Sequence, residues 1–190
     1  FYASAPAGVA EIKAHYGFEV KGVKTGDTLN IGERTLTFVQ TPMVHWPDNM
    51  VTYSDADQIL FSNDAFGQHY ATTKRFDDEN DLCETMKQAK KYYANIVQPY
   101  GPQARKALEV VKGLDLKLIA PSHGVIWRSH ISDILDAYES WTTNQVVDKA
   151  VVVFDSMWHS TEKMAREITD AFIAEGISAQ LIDLKATHIS

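Results

Sequence analysis

The sequence predicts an α/β protein built of two unlike parts. In the first third, apolar and polar residues alternate, which is the period of β-strands, and the middle of the chain changes to the spacing of helices. A strand, a helix and a second strand follow between residues 150 and 184. We therefore expect one α/β domain with antiparallel strands over residues 1–147 and the start of another α/β domain over residues 148–190.

The first third is predicted to hold one helix and two hairpins. Residues 9–17 form a short amphipathic pattern, and Gly17 is well placed to end that helix. Residues 28–42 and 50–64 each contain two alternating runs around turn residues, which is typical of a β-hairpin. Consecutive antiparallel strands are therefore expected here.

Helices and a short strand are predicted for the middle of the chain. Residues 81–96 carry apolar side chains at helical spacing, and a second helix is expected from Pro102 to a stop at Gly113. Residues 116–124 are interpreted as a buried strand that leads into a turn, and residues 131–141 as another helix.

The last part of the chain follows a polar segment. Residues 142–149 carry no strong pattern and are the predicted linker. The segments 150–154, 161–175 and 179–184 then predict a strand, a helix and a strand. Such a unit should be parallel and right-handed.

Composition and charge exclude several classes of function. The net charge is −7 and no stretch of Lys and Arg is clustered, which argues against a nucleic-acid partner. Cys83 is the single cysteine, so no intramolecular disulfide is possible, and we interpret it as a core residue of its helix in a reducing compartment. No membrane-length apolar run and no signal-peptide pattern is visible, so a soluble cytoplasmic protein is expected.

Three residues form a candidate metal site. His45, Asp64 and His123 each follow a predicted strand, where a rigid sheet can hold ligands that are far apart in sequence. A lone histidine is more often an ordinary loop residue, but a carboxylate after an apolar strand needs a cation or several donors. Imidazole and carboxylate without thiolate suit iron, zinc or manganese, and one carboxylate can bridge two metals. Since three ligands cannot hold two metals, either the site is mononuclear or ligands are absent from this sequence.

The other histidines and the nearby aromatic residues are assigned either to that site or to structural roles. His69 either lines the same rim or serves a surface role. His15 and His130 lie in or beside helices and are interpreted as structural, and His188 is too near the chain end to assign. Four aromatic residues near the ligand loops are expected in the core, namely Trp46, Tyr92, Tyr93 and Trp127. The alternative is that some of them wall a substrate pocket or donate a proton.

A hydroxyl-rich loop joins the strand at 150–154 to the helix that follows. The backbone N–H groups and the dipole at such a helix N-terminus can hold a phosphate. An ordinary helix cap, with Ser160 or Thr161 as the N-cap residue, is the alternative and is compatible with phosphate binding.

Taken together, these segments resemble the flavodiiron proteins, in which a metallo-β-lactamase-like domain is fused to a flavodoxin-like domain. The resemblance covers the whole chain in the family's order and rests on HWPDNM (45–50), LFSNDAFGQH (60–69), YYANIVQPY (92–100), PSHGVIWR (121–128) and FDSMWHSTEKMA (154–165). It implies the C-terminal part of an αββα metallo-β-lactamase-like domain, followed by the first βαβ unit of a flavodoxin-like doubly wound domain.

The resemblance also implies roles for individual residues. His45 would bind one iron, Asp64 would bridge two irons, and His123 would bind the other. The phosphate of FMN would be held by the loop residues Ser156, Met157, Trp158, His159, Ser160 and Thr161. The family's remaining ligands come from an H-x-E-x-D-H motif, whereas the residues before His45 contain His15 alone. We therefore expect an internal segment of a longer chain, cut before its first metal motif and after its first FMN loop.

The function implied by the resemblance is the reduction of O2 to water or of NO to N2O. Electrons would pass from a donor such as rubredoxin through FMN to two iron ions, within a head-to-tail homodimer or tetramer. Two alternatives stay open, a dinuclear zinc hydrolase of the same fold and a catalytically incomplete fragment.

Overall fold

The computed structural model describes residues 1–187 and divides the chain into two compact units, Phe1–Gln145 and Val146–Ser190. The elements of the first unit are β1 (Tyr2–Ser4), α1 (Ala7–Tyr16), β2 (Lys21–Val23), β3 (Thr28–Asn30), β4 (Thr35–Gln40), β5 (Met50–Ser54), β6 (Ile59–Asn63), α2 (Leu82–Tyr92), α3 (Gly101–Lys112), β7 (Leu118–Pro121) and α4 (Ile131–Thr142). Those of the second unit are β8 (Lys149–Phe154), α5 (Ser160–Ala174) and β9 (Ser178–Asp183). The predicted α/β class is confirmed.

The main sheet of the first unit has five strands in the order β3-β4-β5-β6-β7. The two predicted hairpins supply its antiparallel pairs, with Leu36 opposite Ser54 and Tyr53 opposite Leu60. β7 then pairs with β6 in parallel, with Leu60 opposite Ile119. Because parallel strands end at the same edge, the residues that follow β6 and β7 are neighbours.

Buried side chains from the sheet and the helices form one core. α2 and α3 cross over between β6 and β7, and a short π-helix at Tyr93–Val97 separates them. The largest buried side chains include Leu60, Leu108, Ile119, Trp127, Ile134 and Tyr138. This core supports the edge of the sheet at which β6 and β7 end.

Two short strands were absent from the predicted pattern. β1 and β2 form a separate parallel pair, in which Ala3 lies opposite Gly22. A strand of three residues is too short to show a period of two, so the antiparallel pattern predicted for the first third was incomplete. The segment 116–124, predicted as a short strand that leads into a turn, forms β7 at Leu118–Pro121, after which the chain leaves the sheet.

The interpretation of Cys83 as a core residue was wrong. Cys83 is exposed and occupies the first turn of α2. The buried face of that helix is formed by Thr85, Ala89 and Tyr92, which recur every three or four residues. Cys83 lies outside this spacing.

The second unit is a parallel strand–helix–strand unit, as expected. β8 and β9 pair in parallel along their whole length, from Lys149 opposite Ser178 to Phe154 opposite Asp183. Phe154 is buried, whereas Val151 and Val153 are more than half exposed. Within residues 1–187, no helix combines the length and the apolar character needed to cross a bilayer.

The carboxylate of Asp77 ties the start of α4 to the loop before α2. Asp77 is fully buried and accepts hydrogen bonds from the backbone N–H groups of Arg128 (3.0 Å), Ser129 (3.1 Å) and His130 (2.7 Å). The next residue, Asp78, pairs with the guanidinium of Arg128 at the surface. Asp77 therefore fixes the segment that follows His123.

We expect Asp77→Ala to lower the free energy of unfolding by about 3 kcal/mol, because three backbone N–H groups lose the buried carboxylate that accepts their hydrogen bonds. Urea denaturation followed by tryptophan fluorescence measures the change. Asp78→Ala is the matched control, and its effect should be much smaller because solvent screens the exposed pair. Equal effects of the two substitutions would contradict this role of Asp77.

Candidate metal centre

The three predicted ligands meet at one edge of the main sheet. Nε2 of His45 lies 3.4 Å from Oδ2 of Asp64, and Nε2 of His123 lies 3.4 Å from Oδ1 of the same carboxylate. Each imidazole therefore faces a different oxygen of Asp64. A carboxylate placed in this way can bridge two cations, with one histidine on each.

The sheet positions Asp64 and His123 directly. Asp64 is the first residue after β6, and His123 is the second after β7. The two strand ends are joined by Ser122, whose N–H donates to the carbonyl of Asn63 (2.7 Å) and whose hydroxyl donates to Oδ1 of Asn63 (3.0 Å). The spacing of the two ligands thus follows from the parallel pairing of their strands.

A closed loop brings His45 to the same edge. The loop between β4 and β5 is tied at its base, because Thr41 N–H donates to the carbonyl of Asn49 (3.0 Å) and the Asn49 amide donates to Oγ1 of Thr41 (2.8 Å). The Asn63 amide in turn donates to the side-chain oxygen of Asn49. Asn63 therefore connects all three segments that carry the candidate ligands.

Backbone strain is concentrated around these ligands. Met43, Asn63 and Phe66 are not glycine, yet they have positive φ angles of 64°, 54° and 65°. Such conformations are costly and persist where surrounding contacts impose them, commonly at functional sites. Phe66 is held on both sides, since its N–H donates to the hydroxyl of Tyr138 (2.8 Å) and its carbonyl accepts from the indole of Trp127 (2.8 Å).

The surroundings of Asp64 fit a cation. Its side chain is only 13% exposed, and among residues 1–187 the nitrogens that approach its carboxylate are those of the two imidazoles. A buried carboxylate of this kind requires positive charge or several donors. An open cavity, lined in part by Trp46, Asn49 and Asp64, gives small molecules access to the carboxylate.

The described residues do not provide enough ligands for a metal ion on either side of the Asp64 carboxylate. Among residues 1–187, no group of three or more His, Cys, Asp and Glu side chains could hold a single metal ion. This agrees with the geometry, because His45 and His123 lie on opposite oxygens and each position has only two protein ligands. Metal ions in proteins take four or more ligands, so each position needs further donors.

His69 lies beside the rim that carries His123. Its ring is 4.8 Å from that of Tyr92 and 5.7 Å from that of His123, measured between centroids. Burial, and then the charge of Asp64, raises the pKa of the Tyr92 hydroxyl well above its ordinary value. Tyr92 therefore stays protonated throughout the ordinary pH range.

The remaining side chains divide into two groups. His15 pairs with Glu11 and His130 with Asp133, which fits their structural interpretation, while His188 lies outside the described residues. Tyr92, Tyr93 and Trp127 are buried as expected, whereas Trp46 is 64% exposed and its expected core position was wrong. Trp46 belongs to the closed loop, whose backbone bonds turn this ring toward solvent.

The loop after β8 opens onto the N-terminus of α5. The alternative of an ordinary N-cap at Ser160 or Thr161 was wrong, because α5 begins at Ser160 and His159 is the N-cap residue with a left-handed φ of 63°. No side chain caps this helix end, and Nδ1 of His159 instead lies 2.7 Å from Oε2 of Glu162. The hydrogen bond with His159, and then that with Arg166, lowers the pKa of Glu162.

The same loop is exposed and has a cation beside it. Met157 and Trp158 are largely exposed to solvent. Nζ of Lys185 donates to the carbonyl of Ser156 (2.5 Å) and lies 3.2 Å from the carboxylate of Asp155. The loop thus combines helix N–H groups without a side-chain cap and a nearby ammonium group.

Comparison with known proteins assigns the chain to a family. The family model described as ODP family beta lactamase matches residues 6–124, which include all three candidate metal ligands. The chain belongs to this family. The match confirms the metallo-β-lactamase-like fold expected for the first part of the chain.

Proteins with known names resemble the chain over nearly its whole length. It is 45% identical to a nitric oxide reductase of Moorella thermoacetica, covering 93% of this chain and 45% of that protein. The structure of rubredoxin oxygen:oxidoreductase from Desulfovibrio gigas matches with a TM-score of 0.91 and 39% identity, covering 98% of this chain and 48% of that one. The flavodiiron protein from Giardia intestinalis matches with a TM-score of 0.91 and 38% identity, covering 100% of this chain and 47% of that one.

These matches confirm the resemblance to flavodiiron proteins that the sequence motifs indicate. The chain spans less than half the length of the relatives that it matches.

We expect Tyr138→Phe to lower the free energy of unfolding by about 1–2 kcal/mol, because it leaves the buried N–H of Phe66 without an acceptor. Tyr93→Phe is the matched control: Tyr93 belongs to the same aromatic cluster, and its hydroxyl makes no hydrogen bond within residues 1–187. Urea denaturation of both variants measures the difference. A Tyr93→Phe effect as large as that of Tyr138→Phe would contradict the role of the Phe66 bond.

Proposed function

We propose that this chain is part of an oxidoreductase that reduces O2 to water, or NO to N2O, at a non-haem diiron centre supplied with electrons by FMN. The observation that carries this proposal is the Asp64 carboxylate, which presents one oxygen to His45 and the other to His123. The names of the relatives, a nitric oxide reductase and a rubredoxin oxygen oxidoreductase, support the same chemistry.

In this proposal His45 and His123 each bind one iron ion and Asp64 bridges the two. The chain holds the three side chains at fixed spacing through the paired ends of β6 and β7 and the closed loop between β4 and β5. A diiron centre, when bound, supplies open coordination positions and two adjacent reducing equivalents for a diatomic molecule.

The loop after β8 is proposed to bind the phosphate of FMN. The contributing residues are Ser156, Met157, Trp158, His159, Ser160 and Thr161. Hydroxyl groups at 156, 160 and 161 and the backbone N–H groups at the start of α5 would hold the phosphate, favoured by the helix dipole. The ammonium group of Lys185 lies beside this loop, where it pairs with the carboxylate of Asp155. The second unit is then the beginning of a flavodoxin-like domain. The proposed domain boundary, between residues 147 and 148, lies two residues after the division between the two compact units.

The remaining parts of the proposal concern partners. A rubredoxin-type protein is the proposed electron donor, in line with the name of the Desulfovibrio gigas relative. The proposed assembly is a head-to-tail homodimer or tetramer, in which the flavin of one copy supplies the iron centre of another. The cytoplasm is the proposed compartment, because an exposed thiol such as Cys83 stays reduced there.

Metal analysis tests the iron site. We expect the protein expressed from its own gene to contain about two iron ions per chain, His45→Ala and His123→Ala to lose about one each, and Asp64→Ala to lose both. His15→Ala is the matched control, since His15 pairs only with Glu11 on the exposed helix α1, and it should keep the full iron content.

Activity is measured on the same samples as O2 and NO consumption with a reduced electron donor. Each ligand variant should lower the rate at least about a hundredfold, because one missing metal ligand disrupts a centre that acts as a unit. Zinc in place of iron, without flavin absorbance, would contradict the proposal and favour a hydrolase of the same fold.

Flavin binding tests the loop. We expect the double substitution Ser160→Ala and Thr161→Ala to weaken FMN binding about tenfold, because two hydroxyl donors to the phosphate are lost. Ser178→Ala is the matched control, since Ser178 begins β9 at the opposite edge of the parallel pair. Fluorescence quenching of FMN measures both affinities. An equal loss of FMN affinity in the control would contradict the assignment of this loop to the FMN site.

A further inference from the structure

A buried amide joins the loop that carries Asp64 to the loop that carries His123. The side chain of Gln68 is 0% exposed, although it is polar. Its Oε1 accepts from the N–H of Val125 (2.7 Å), and its Nε2 donates to the carbonyls of Phe66 (3.0 Å) and Val125 (3.4 Å). Its own N–H donates to the carbonyl of His123 (3.1 Å). Gln68 therefore bonds residues on both sides of the gap between the loops.

The two loops approach so closely that glycine is required at position 124 and a side chain at position 67 would be crowded. A Cβ at Gly124, where φ is +84°, would lie 2.1 Å from Oε1 of Gln68. A Cβ at Gly67 would lie 3.0 Å from the carbonyl of Asp64 and 3.3 Å from that of His123. The carbonyl oxygen and the amide nitrogen of the Gln68 side chain thus both make hydrogen bonds, and the close backbone leaves little room for the side chain to turn.

The bonds of Gln68 reach only one of the two histidine loops. The loop that carries His45 is held instead by the bonds among Thr41, Asn49 and Asn63. Loss of the Gln68 amide should therefore free Val125 and loosen the His123 loop on its C-terminal side, while the Gln68 N–H and Ser122 still hold its other bonds. His45 should stay in place. A buried polar group of this kind fixes the positions of the loops through its hydrogen bonds and not only by filling space.

We propose that Gln68 is a positioning residue that fixes Nε2 of His123 against Oδ1 of Asp64. The inference rests on the proposed function, in which those two atoms share one iron ion. Gln68 touches neither the metal nor the reacting molecule, and it acts on the ligand through the backbone of residues 123–125. Substitution of a group that orients a metal ligand commonly lowers the metal affinity by about 10–100-fold.

The first arm of the test uses Gln68→Met, which keeps the length of the side chain and removes its hydrogen bonds. In protein reconstituted with 57Fe, Mössbauer spectra resolve the two iron positions. We expect iron at the His123 position to be bound at least about tenfold more weakly, with the His45 position unchanged. Ser62→Ala is the matched control, because Ser62 is also fully buried and its hydroxyl bonds only within the Asp64 loop, to the carbonyl of Ala65.

A second variant guards against a general loss of structure. Gln68→Asn keeps the amide but withdraws it by one methylene group, so that it no longer reaches Val125. Circular dichroism verifies the fold of both variants. Selective loss at the His123 position in either folded variant supports the proposal, whereas equal weakening of both positions, or of neither, would overturn it.

The second arm separates this inference from the proposed function. If the unaltered protein binds no iron, the proposed function fails, and hydrogen exchange of the metal-free protein decides the role of Gln68. We expect the N–H of Val125 to exchange at least about tenfold faster in Gln68→Met than in Ser62→Ala, because its acceptor is lost only in the first. Unchanged protection of Val125 would show that Gln68 does not hold the His123 loop.

Discussion

Asp64 imposes the constraint on which the arrangement of the first unit depends. A carboxylate that is almost buried has to be matched by positive charge or by donors, and the nitrogens that approach it within the described residues are two imidazoles. The three side chains come from segments far apart in sequence. The parallel pairing of β6 with β7 and the closed loop before β5 are what bring them to one point.

The positions of the candidate ligands could be predicted because they depend on local signals. Each ligand follows a run of alternating or apolar residues, and such runs end where the chain leaves the sheet. The hairpins, α2 to α5 and the parallel pair of the second unit follow from similar patterns, with end points shifted by a few residues. The end of β6 with Asp64 directly after it, and the end of β7 with His123 two residues after it, are visible without knowledge of the tertiary structure. His45 lies five residues beyond β4, in a loop that contacts with Asn63 help to hold.

Features that depend on distant contacts could not be predicted in the same way. The exposure of Cys83 depends on which face of α2 meets the core, and that of Trp46 depends on bonds that close its loop. The N-cap at His159 required a left-handed residue that a Ser-Thr pattern does not indicate. The roles of Gln68 and Tyr138 were missed because their partners are 57 and 72 residues away.

The strained backbone conformations around the ligands are maintained by the hydrogen bonds around them. Asn63 and Phe66 hold positive φ angles on either side of Asp64, and neither conformation would persist in an isolated segment. The bonds that hold Asn63 lead to Asn49 and Ser122, and those that hold Phe66 lead to Tyr138 and Trp127. Since the ligand loops are kept in place by contacts with the folded core, small losses in that core should disturb the ligand geometry before they unfold the sheet.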